Sequence, residues 1–286
     1  MGSTHLLFHN QGKGAPIGLP DWKRDTWVVP TDIPLVEANA LRWLYDNTAG
    51  DNWTTNTNWG LTTTANDWYG ITVVGGNVTV IDIDTNNLVG NIGAFAIDAF
   101  TVLLTLQMHA NAGLIGDISG WTPPITVKTL YLFTTGLSGD VMAGWTLWAD
   151  LDYLRLDNTS ISGDMAGWVI PAGVIHLYVN STNASGVPDL SSATSIDLFR
   201  YGFCSLPEAD VDGVLLAIAT RFSAGGFTAA TPEIRIGGTN AAPSGAYADE
   251  DPPSTGLGAV FEICTDPETT GYNTWVVLVA GSGPYP

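Results

Sequence analysis

The residues of this chain that could do chemistry do not form a catalytic motif. The sequence has neither a Gly-x-Ser-x-Gly elbow for a nucleophilic serine nor a Gly-x-x-x-x-Gly-Lys-Ser/Thr loop for phosphate. The four histidines (His5, His9, His109 and His176) are not spaced like metal ligands. We therefore expect no catalytic residue, no metal and no cofactor, and the sequence favours a binding protein over an enzyme.

One acidic segment offers a calcium site as an alternative. Asp82-Ile-Asp84-Thr-Asn86 begins like a calcium-binding loop. Such a loop needs glycine at its sixth position and glutamate at its twelfth, and these positions hold Asn87 and Gly93. The repeat pattern described below explains the same residues better, because it turns both aspartates outward from a strand.

A second pair of acids offers a glycan-processing enzyme as an alternative. Hydrolysis of a glycosidic bond needs two carboxylates on either side of a cleft. Asp157 and Asp197 are the candidates, although no neighbouring pattern marks either one as a catalytic acid.

The composition excludes some partners. The chain has 286 residues, with 9 Lys plus Arg against 28 Asp plus Glu and a formal net charge of −19. Nucleic acids and anionic membranes bind cationic surfaces, so we expect neither as a partner. No apolar run approaches the roughly 20 residues that span a bilayer, so we expect no membrane insertion. Cys204 and Cys264 are too few for a disulfide scaffold; they either pair or remain buried thiols.

Internal repeats give the strongest structural signal. The pattern L-x-x-L-x-L-x-x-N-x-L-x-G-x-I recurs from residue 78, and its central leucines, Leu106, Leu130, Leu154 and Leu177, are 24, 24 and 23 residues apart. Each L-x-L is a short strand whose apolar side chains point into a solenoid, and the glycine turns the chain onto the convex side. A sixth, shorter copy places Leu198, Tyr201 and Phe203 among its apolar positions, with Phe199 facing outward.

The same period governs three tryptophans. Trp121, Trp145 and Trp168 each end a segment that begins with aspartate, and they are 24 and 23 residues apart. We expect them to pack on the convex side, each covering the next coil, and not to bind a ligand.

These repeats resemble leucine-rich repeat proteins. The segment before them, with a helix near residues 37–45, Gly50-Asp-Asn-Trp53 and Asp67-Trp-Tyr-Gly70, resembles the amino-terminal cap of plant-type members, without their paired cysteines. The closing Gly238-Thr-Asn-Ala-Ala-Pro-Ser244 resembles leucine-rich proteins of bacteria and tailed phages. The resemblance implies an α/β fold: a leucine-rich repeat solenoid with a short curved parallel β-sheet, an irregular or 3-10 convex side and a helical cap.

The pattern divides the chain into five parts. Residues 1–35 form an extended arm, residues 36–77 the amino-terminal cap and residues 78–206 the repeats. Residues 207–245 hold a helix and a last half-repeat, and residues 246–286 a capping β-hairpin, with strands at 259–264 and 274–280, and a tail.

The amino-terminal arm carries apolar anchors that a free tail rarely keeps. We expect it to dock on a neighbouring subunit, and a disordered leader is the alternative. The anchors are Leu6, Leu7, Phe8, Trp22 and Trp27.

The outward positions of the predicted strands define a candidate ligand-binding face. Aromatic and arginine side chains are enriched at binding surfaces, although aromatic rings on a sheet also serve cross-strand pairing. A glycan or a partner that carries carboxylates would suit this face. Its residues are Tyr131, Phe133, Tyr153, Arg155, His176, Tyr178, Phe199 and Arg200.

The resemblance and the arm together favour a structural protein displayed on the surface of a tailed-phage virion, such as a fibre, spike or decoration subunit. Its partners would be other virion subunits through the arm, including copies of itself, and a host glycan or surface protein at the predicted face. The alternative is a bacterial adhesin or glycan-binding protein that is secreted or held at the cell surface.

Overall fold

The computed structural model describes residues 27–225, 227, 233–265 and 276–279. Within them the chain forms an α/β solenoid of the leucine-rich repeat type, in which each turn of the repeat adds one strand to a main sheet. Neighbouring strands of this sheet are parallel, except for an antiparallel pair at its amino-terminal edge. In spatial order the strands are β1 (Ile71–Val74), β2 (Asn77–Asp82), β4 (Thr105–Gln107), β6 (Thr129–Tyr131), β8 (Tyr153–Arg155), β10 (His176–Tyr178), β12 (Leu198–Arg200), β13 (Glu233–Arg235) and β14 (Val276–Leu278).

A second parallel sheet lies on the side where the sequence predicted irregular structure. Short 3-10 turns, for example Ile97–Ala99 and Met165–Gly167, and one helical turn, α2 (Val141–Gly144), are present there, but five strands pair between coils as well. These strands are β3 (Val89–Asn91), β5 (Gly113–Asp117), β7 (Gly136–Asp140), β9 (Ser160–Asp164) and β11 (Asn183–Ser185).

The repeat glycine makes the second sheet possible. Gly139 has φ +113°, and a Cβ atom there would lie 2.1 Å from Oδ1 of Asp117 in the preceding coil. Gly163 stands in the same relation to Asp140, at 2.3 Å. The glycine therefore permits both the turn and the close approach of successive coils.

The core lies between the two sheets and follows the predicted leucine positions. Leu106, Leu130, Leu154 and Leu177 are all fully buried. Burial of such a side chain stabilises the fold by about 1.5–3 kcal/mol. Trp121, Trp145 and Trp168 are buried as well, which confirms their structural role.

Buried polar side chains join successive coils at the asparagine position of the repeat. Asn111 accepts hydrogen bonds from the backbone N–H groups of Asn86 (2.9 Å) and Leu88 (3.0 Å) of the preceding coil. Its amide donates to carbonyl oxygens that include those of Ile83 (3.1 Å) and Met108 (2.9 Å). In the next coils threonine takes this position, and its hydroxyl donates to a carbonyl of its own coil, as Thr135 does to Leu132. The asparagine side chains thus form hydrogen bonds between successive coils, whereas the threonine hydroxyls donate within their own coil.

The amino-terminal cap is closed by helix α1 (Leu35–Asn47) and a cluster of aromatic rings. Trp53 and Trp59 lie 4.9 Å apart, and Trp59 and Trp68 lie 5.2 Å apart, between ring centroids. Trp27 joins the same cluster, 5.3 Å from Trp68 and 5.4 Å from Tyr45. The expectation that Trp27 docks on a neighbouring subunit is therefore wrong: its ring packs on the cap of its own chain. Leu6, Leu7, Phe8 and Trp22 lie outside the described residues.

The carboxy-terminal hairpin predicted from the sequence is also wrong. Residues Gly256–Thr265 form helix α4, which packs against helix α3 (Glu208–Ser223). Strand β14 is parallel to β13 and extends the main sheet. Parallel neighbours cannot be joined by a tight hairpin and need a crossover connection. The apolar run at 259–264 is too short for its period to distinguish strand from helix.

Two smaller findings concern the cysteines and the membrane. Cys204 and Cys264 are both buried free thiols, so the disulfide alternative is not realised. Among the described residues, no helix has the length and apolar character needed to cross a bilayer.

Candidate functional site

The outward side chains of the main sheet stand in one row because the strands are parallel and in register. Tyr131 pairs with Arg155, Arg155 with Tyr178, Tyr178 with Arg200, and Arg200 with Arg235. Since successive residues of a strand point to opposite faces, paired residues point to the same face. The register thus brings together Tyr131, Arg155, Tyr178 and Arg200, which the sequence predicted, and adds Arg235, which it did not.

Rings and guanidinium groups alternate along this face in a continuous stack. His109 lies on Phe133 with 4.2 Å between ring centroids and 20° between planes. The guanidinium carbon of Arg155 is 3.6 Å from the centroid of Phe133 and 4.7 Å from that of Tyr178. The guanidinium carbon of Arg200 is 4.5 Å from the centroid of Tyr178. We call these five residues the stacked row; its contacts are cation–π and ring stacking interactions.

Two further predicted residues flank the stacked row. Tyr153 and His176 pair in register on β8 and β10, and their ring centroids are 5.1 Å apart in an edge-to-face arrangement. His176 also stacks on Tyr178, at 5.7 Å and 16°. Burial lowers the pKa of His176 and of His109, so both rings are neutral at neutral pH.

Carboxylates hold the arginines of the stacked row in place. Nη2 and Nε of Arg155 donate to Asp157 at 2.9 and 3.0 Å, and Asp157 is buried. Nη2 of Arg200 donates to Oε1 of Glu233 at 3.2 Å, and Nη2 of Arg235 donates to Oε2 of the same carboxylate at 2.9 Å. Two guanidinium groups therefore share one carboxylate at the carboxy-terminal end of this face.

Phe199 does not belong to this face. It pairs in register with Leu177 and Ile234 and is 1 % exposed, while its neighbours Leu198 and Arg200 are half-buried on the outer side. The predicted sixth copy was therefore displaced by one residue. Because side chains alternate along a strand, this one-residue error assigned Phe199 to the outer face, whereas its side chain lies in the core.

The same one-residue error in the predicted frame assigned an exposed residue to the core. Phe203, expected in the core, is 59 % exposed and has φ +58°. It occupies a position that is left-handed in every coil of this series and small or polar in the earlier ones. The earlier residues are Thr85, Ala110, Thr134, Asn158 and Ser181.

The acidic segment that suggested calcium lies at the amino-terminal end of the main sheet. Burial, and next the neighbouring Asp84 carboxylate, raise the pKa of Asp82 to about 6. Asp84 lies 3.4 Å from Nε2 of His109, and Gln107 donates to Asp82 at 3.3 Å. Within the described part of the chain, no group of three or more His, Cys, Asp or Glu side chains is arranged to hold a metal ion.

The two candidate carboxylates of a glycan-processing enzyme lie in different surroundings. Asp157 is buried and bound to Arg155, which leaves it engaged as an ion-pair partner. Asp197 is exposed and lies 3.9 Å from Nε2 of His176. The geometry thus assigns Asp157 to positioning Arg155.

Comparison with known proteins gives likeness of fold alone. No protein-family model and no curated protein matches the chain. A plant ice-binding protein is 19 % identical with a TM-score of 0.48; the match covers 62 % of this chain and 58 % of that protein. The leucine-rich repeat ectodomain of the receptor kinase SOBIR1 from Arabidopsis thaliana is 18 % identical (TM-score 0.41, 55 % and 84 % covered), and the BIR2 ectodomain from the same plant is 17 % identical (0.42, 56 % and 85 %). At these values the likenesses do not bear on function, and the solenoid class rests on the strands, register and buried leucines.

Proposed function

We propose that this chain is a non-enzymatic recognition protein that binds its partner on the outer face of the main sheet. The observation that carries the proposal is the stacked row. It gathers aromatic rings and arginines, the side chains that dominate binding energy at protein surfaces, on one open face. Three of the six arginines of an otherwise strongly acidic chain (Arg155, Arg200 and Arg235) lie there.

The stacked row favours contacts through ring edges and polar groups. Phe133 is covered by His109 on one side and Arg155 on the other, and Tyr178 lies between Arg155 and Arg200. Tyr178 is 5 % exposed and Tyr131 is half-buried, so a ligand meets the guanidinium groups and the edge of Tyr131 more than ring faces. Because the stacking already fixes the rotamers, binding costs little further side-chain entropy, about 0.5–1.5 kcal/mol less for each side chain that is held in advance.

The test is a paired substitution on the face. We expect Tyr131→Ala with Tyr178→Ala to abolish binding of the protein to host cells and to a glycan array. Tyr69→Ala removes an exposed tyrosine in the cap and is the control; it should bind as the wild type does. Unchanged binding by the double variant would show that the partner does not use this face.

We propose further that the chain is displayed on a tailed-phage virion, with residues before Trp27 joining it to other subunits. The support is the sequence resemblance of Gly238–Ser244 and the apolar anchors at Leu6, Leu7 and Phe8. The alternative is a bacterial adhesin, secreted or held at the cell surface, which would need no assembly arm.

Light scattering separates these two roles. Trp27 and Asp32 belong to the cap, where Asp32 accepts hydrogen bonds from the N–H groups of Ala65 and Asn66, so a shortened chain should start at residue 27. We expect the full chain to assemble and the shortened chain to be a monomer of unchanged stability. Two monomers would instead favour the free-standing adhesin.

A further inference from the structure

The outer face changes character in the last two turns of the repeat. On the earlier strands the second residue after the outward-facing row carries a side chain, as in His109, Phe133 and Asp157. In the coils of β12 and β13 this position is glycine, Gly202 and Gly237. These glycines are neighbours, since a Cβ atom on Gly202 would meet the carbonyl oxygen of Gly237 at 3.0 Å. The surface beside Arg235 is therefore bare backbone at Gly237, which is half-buried, whereas Gly202 is buried.

Phe203 borders this bare surface and has a backbone conformation that is strained for phenylalanine. Phenylalanine at φ +58° is an outlier, because a large side chain is strained in the left-handed region. Its N–H donates to the carbonyl of Gly237 at 3.0 Å, and its ring lies against Gly238. Among the residues at the same position in the earlier coils, Ala110, Asn158 and Ser181 are small or polar, whereas Thr85 and Thr134 are β-branched and are strained as well. An exposed ring kept in a strained backbone position points to a role in binding.

The opposite side of the bare surface carries two guanidinium groups. Arg200 and Arg235 share the single carboxylate of Glu233, and their side chains are 31 % and 46 % exposed. Asp197 lies three residues before Arg200, directly before β12, and its carboxylate is 3.9 Å from Nε2 of His176. Nε of Arg200 and Oδ1 of Asn180, which borders the glycines from the preceding coil, are buried and have no hydrogen-bond partner among the described residues. Two polar groups here thus lack a hydrogen-bond partner among the described residues.

We propose that Phe203, Arg235 and the backbone of Gly237 between them form a subsite for a sugar that carries a carboxylate, such as a uronic or sialic acid. The ring of Phe203 stacks on the apolar C–H face of the sugar, the bare backbone lets the sugar approach closely, and the guanidinium of Arg235 pairs with the carboxylate. Hydroxyl groups suit the remainder of the site because they both donate and accept hydrogen bonds. This subsite rests on the proposed binding face and specifies one ligand on it.

The experiment compares acidic and neutral sugars on the full chain. Binding to immobilised oligosaccharides ending in glucuronic acid or sialic acid is measured beside the same oligosaccharides ending in glucose or galactose, and beside a polyglutamate peptide. We expect at least tenfold tighter binding of one acidic sugar than of its neutral counterpart, and a further weakening at high salt. Equal binding of acidic and neutral sugars, or no binding of either acidic sugar, would overturn the proposal. Binding of polyglutamate alone would overturn it in favour of a protein partner.

Two variants and two matched controls locate the site. Phe203→Gly and Arg235→Gln should each weaken binding of the acidic sugar at least tenfold. Thr134→Gly relieves a left-handed residue at φ +55° in an earlier coil, and Lys128→Gln removes a positive charge elsewhere; both should stay within twofold of the wild type. We expect Phe203→Gly and Thr134→Gly both to raise the melting temperature, and that result would exclude loss of folding as the reason for lost binding. Unchanged binding by Phe203→Gly would overturn the subsite.

The result also separates this subsite from the wider proposal. If acidic sugars fail to bind while the Tyr131 and Tyr178 double variant still abolishes cell binding, the face binds a different partner and the subsite is wrong. If acidic sugars bind and Phe203→Gly abolishes that binding, but the double variant binds as the wild type does, the subsite is right and the stacked row is not the contact surface.

Discussion

Replacing Asn111 by alanine tests whether the buried asparagines hold the solenoid together. The substitution removes the acceptor for the N–H groups of Asn86 and Leu88 and the donor for the carbonyls of Ile83 and Met108. A buried polar group left without its partner costs about 1–3 kcal/mol, and two backbone donors lose theirs here. We expect Asn111→Ala to lower the free energy of unfolding by about 3–5 kcal/mol, the loss of packing around the side chain included.

Thr135→Ala is the matched control in a neighbouring coil. It removes a buried hydroxyl that donates to Leu132 in the same coil, so the expected loss is about 1 kcal/mol. Asn240→Ala should behave like Asn111→Ala, because Asn240 accepts from the N–H groups of Cys204 and Leu206 in the coil before it. Urea unfolding measures all three, and the dependence of free energy on urea should stay unchanged. The reasoning is refuted if Asn111→Ala costs no more than Thr135→Ala.

Three further outcomes are expected. Burial raises the pKa of Glu37, so folding binds a proton above about pH 4.5, and the wild type loses stability as the pH rises through the folded-state pKa. Glu37→Gln keeps an acceptor for the N–H of Val78 and should therefore be more stable than the wild type at about pH 8. In thermal unfolding, this difference in stability should close towards pH 4.5. A gap that widens on acidification would contradict this. Burial raises the pKa of the Cys264 thiol to about 11 and also raises that of Cys204, so a thiol reagent at about pH 8 should label neither in the native protein and both in guanidinium; rapid native labelling would show that the thiols are accessible. Gly139→Ala should cost about 2 kcal/mol or more in urea unfolding, because its φ is positive and its Cβ would meet Asp117, whereas Gly120→Ala, with open space around it, should stay within about 0.5 kcal/mol; equal losses would refute the steric explanation.

The repeat positions could be predicted from the sequence because their spacing is set by the geometry of the coil. Each of the four central leucines lies in the core, and the outward row from Tyr131 to Tyr178 follows from strand alternation. The frame predicted for the sixth copy was wrong because several of its residues are apolar, so apolarity alone does not identify the buried positions. The alternation of Phe199, Arg200 and Tyr201 indicates the correct frame, since a charged residue between two apolar ones marks the outer face.

Other features depend on contacts that a single sequence does not reveal. Helix α4 is stabilised by packing on α3, and this contact has no signature in the run at 259–264. The strand predicted at 274–280 contains β14, but its parallel pairing with β13 has no signature in the sequence. The second sheet depends on close approach between coils, for which the glycine is necessary but gives no direct sign of strand pairing. The strain at Phe203 is likewise a property of the backbone and not of the residue type.

The acidity of the chain determines how an acidic ligand would bind the outer face. At a net charge of −19 the molecule repels anionic partners at long range. Arg155 is paired with the buried Asp157, whereas Arg200 and Arg235 share Glu233 and are partly exposed, so the guanidinium groups open to a further anion lie towards the end of the face that Phe203 borders. An acidic ligand must therefore bind through short-range contacts with these guanidinium groups. Because salt screens the long-range repulsion within about 10 Å at 0.1 M, the association rate of such a ligand should first rise with added salt, while the dissociation rate should rise once the contacts with Arg235 are screened. A neutral ligand would show neither change, so the salt dependence of the two rates separates recognition by charge from recognition by shape.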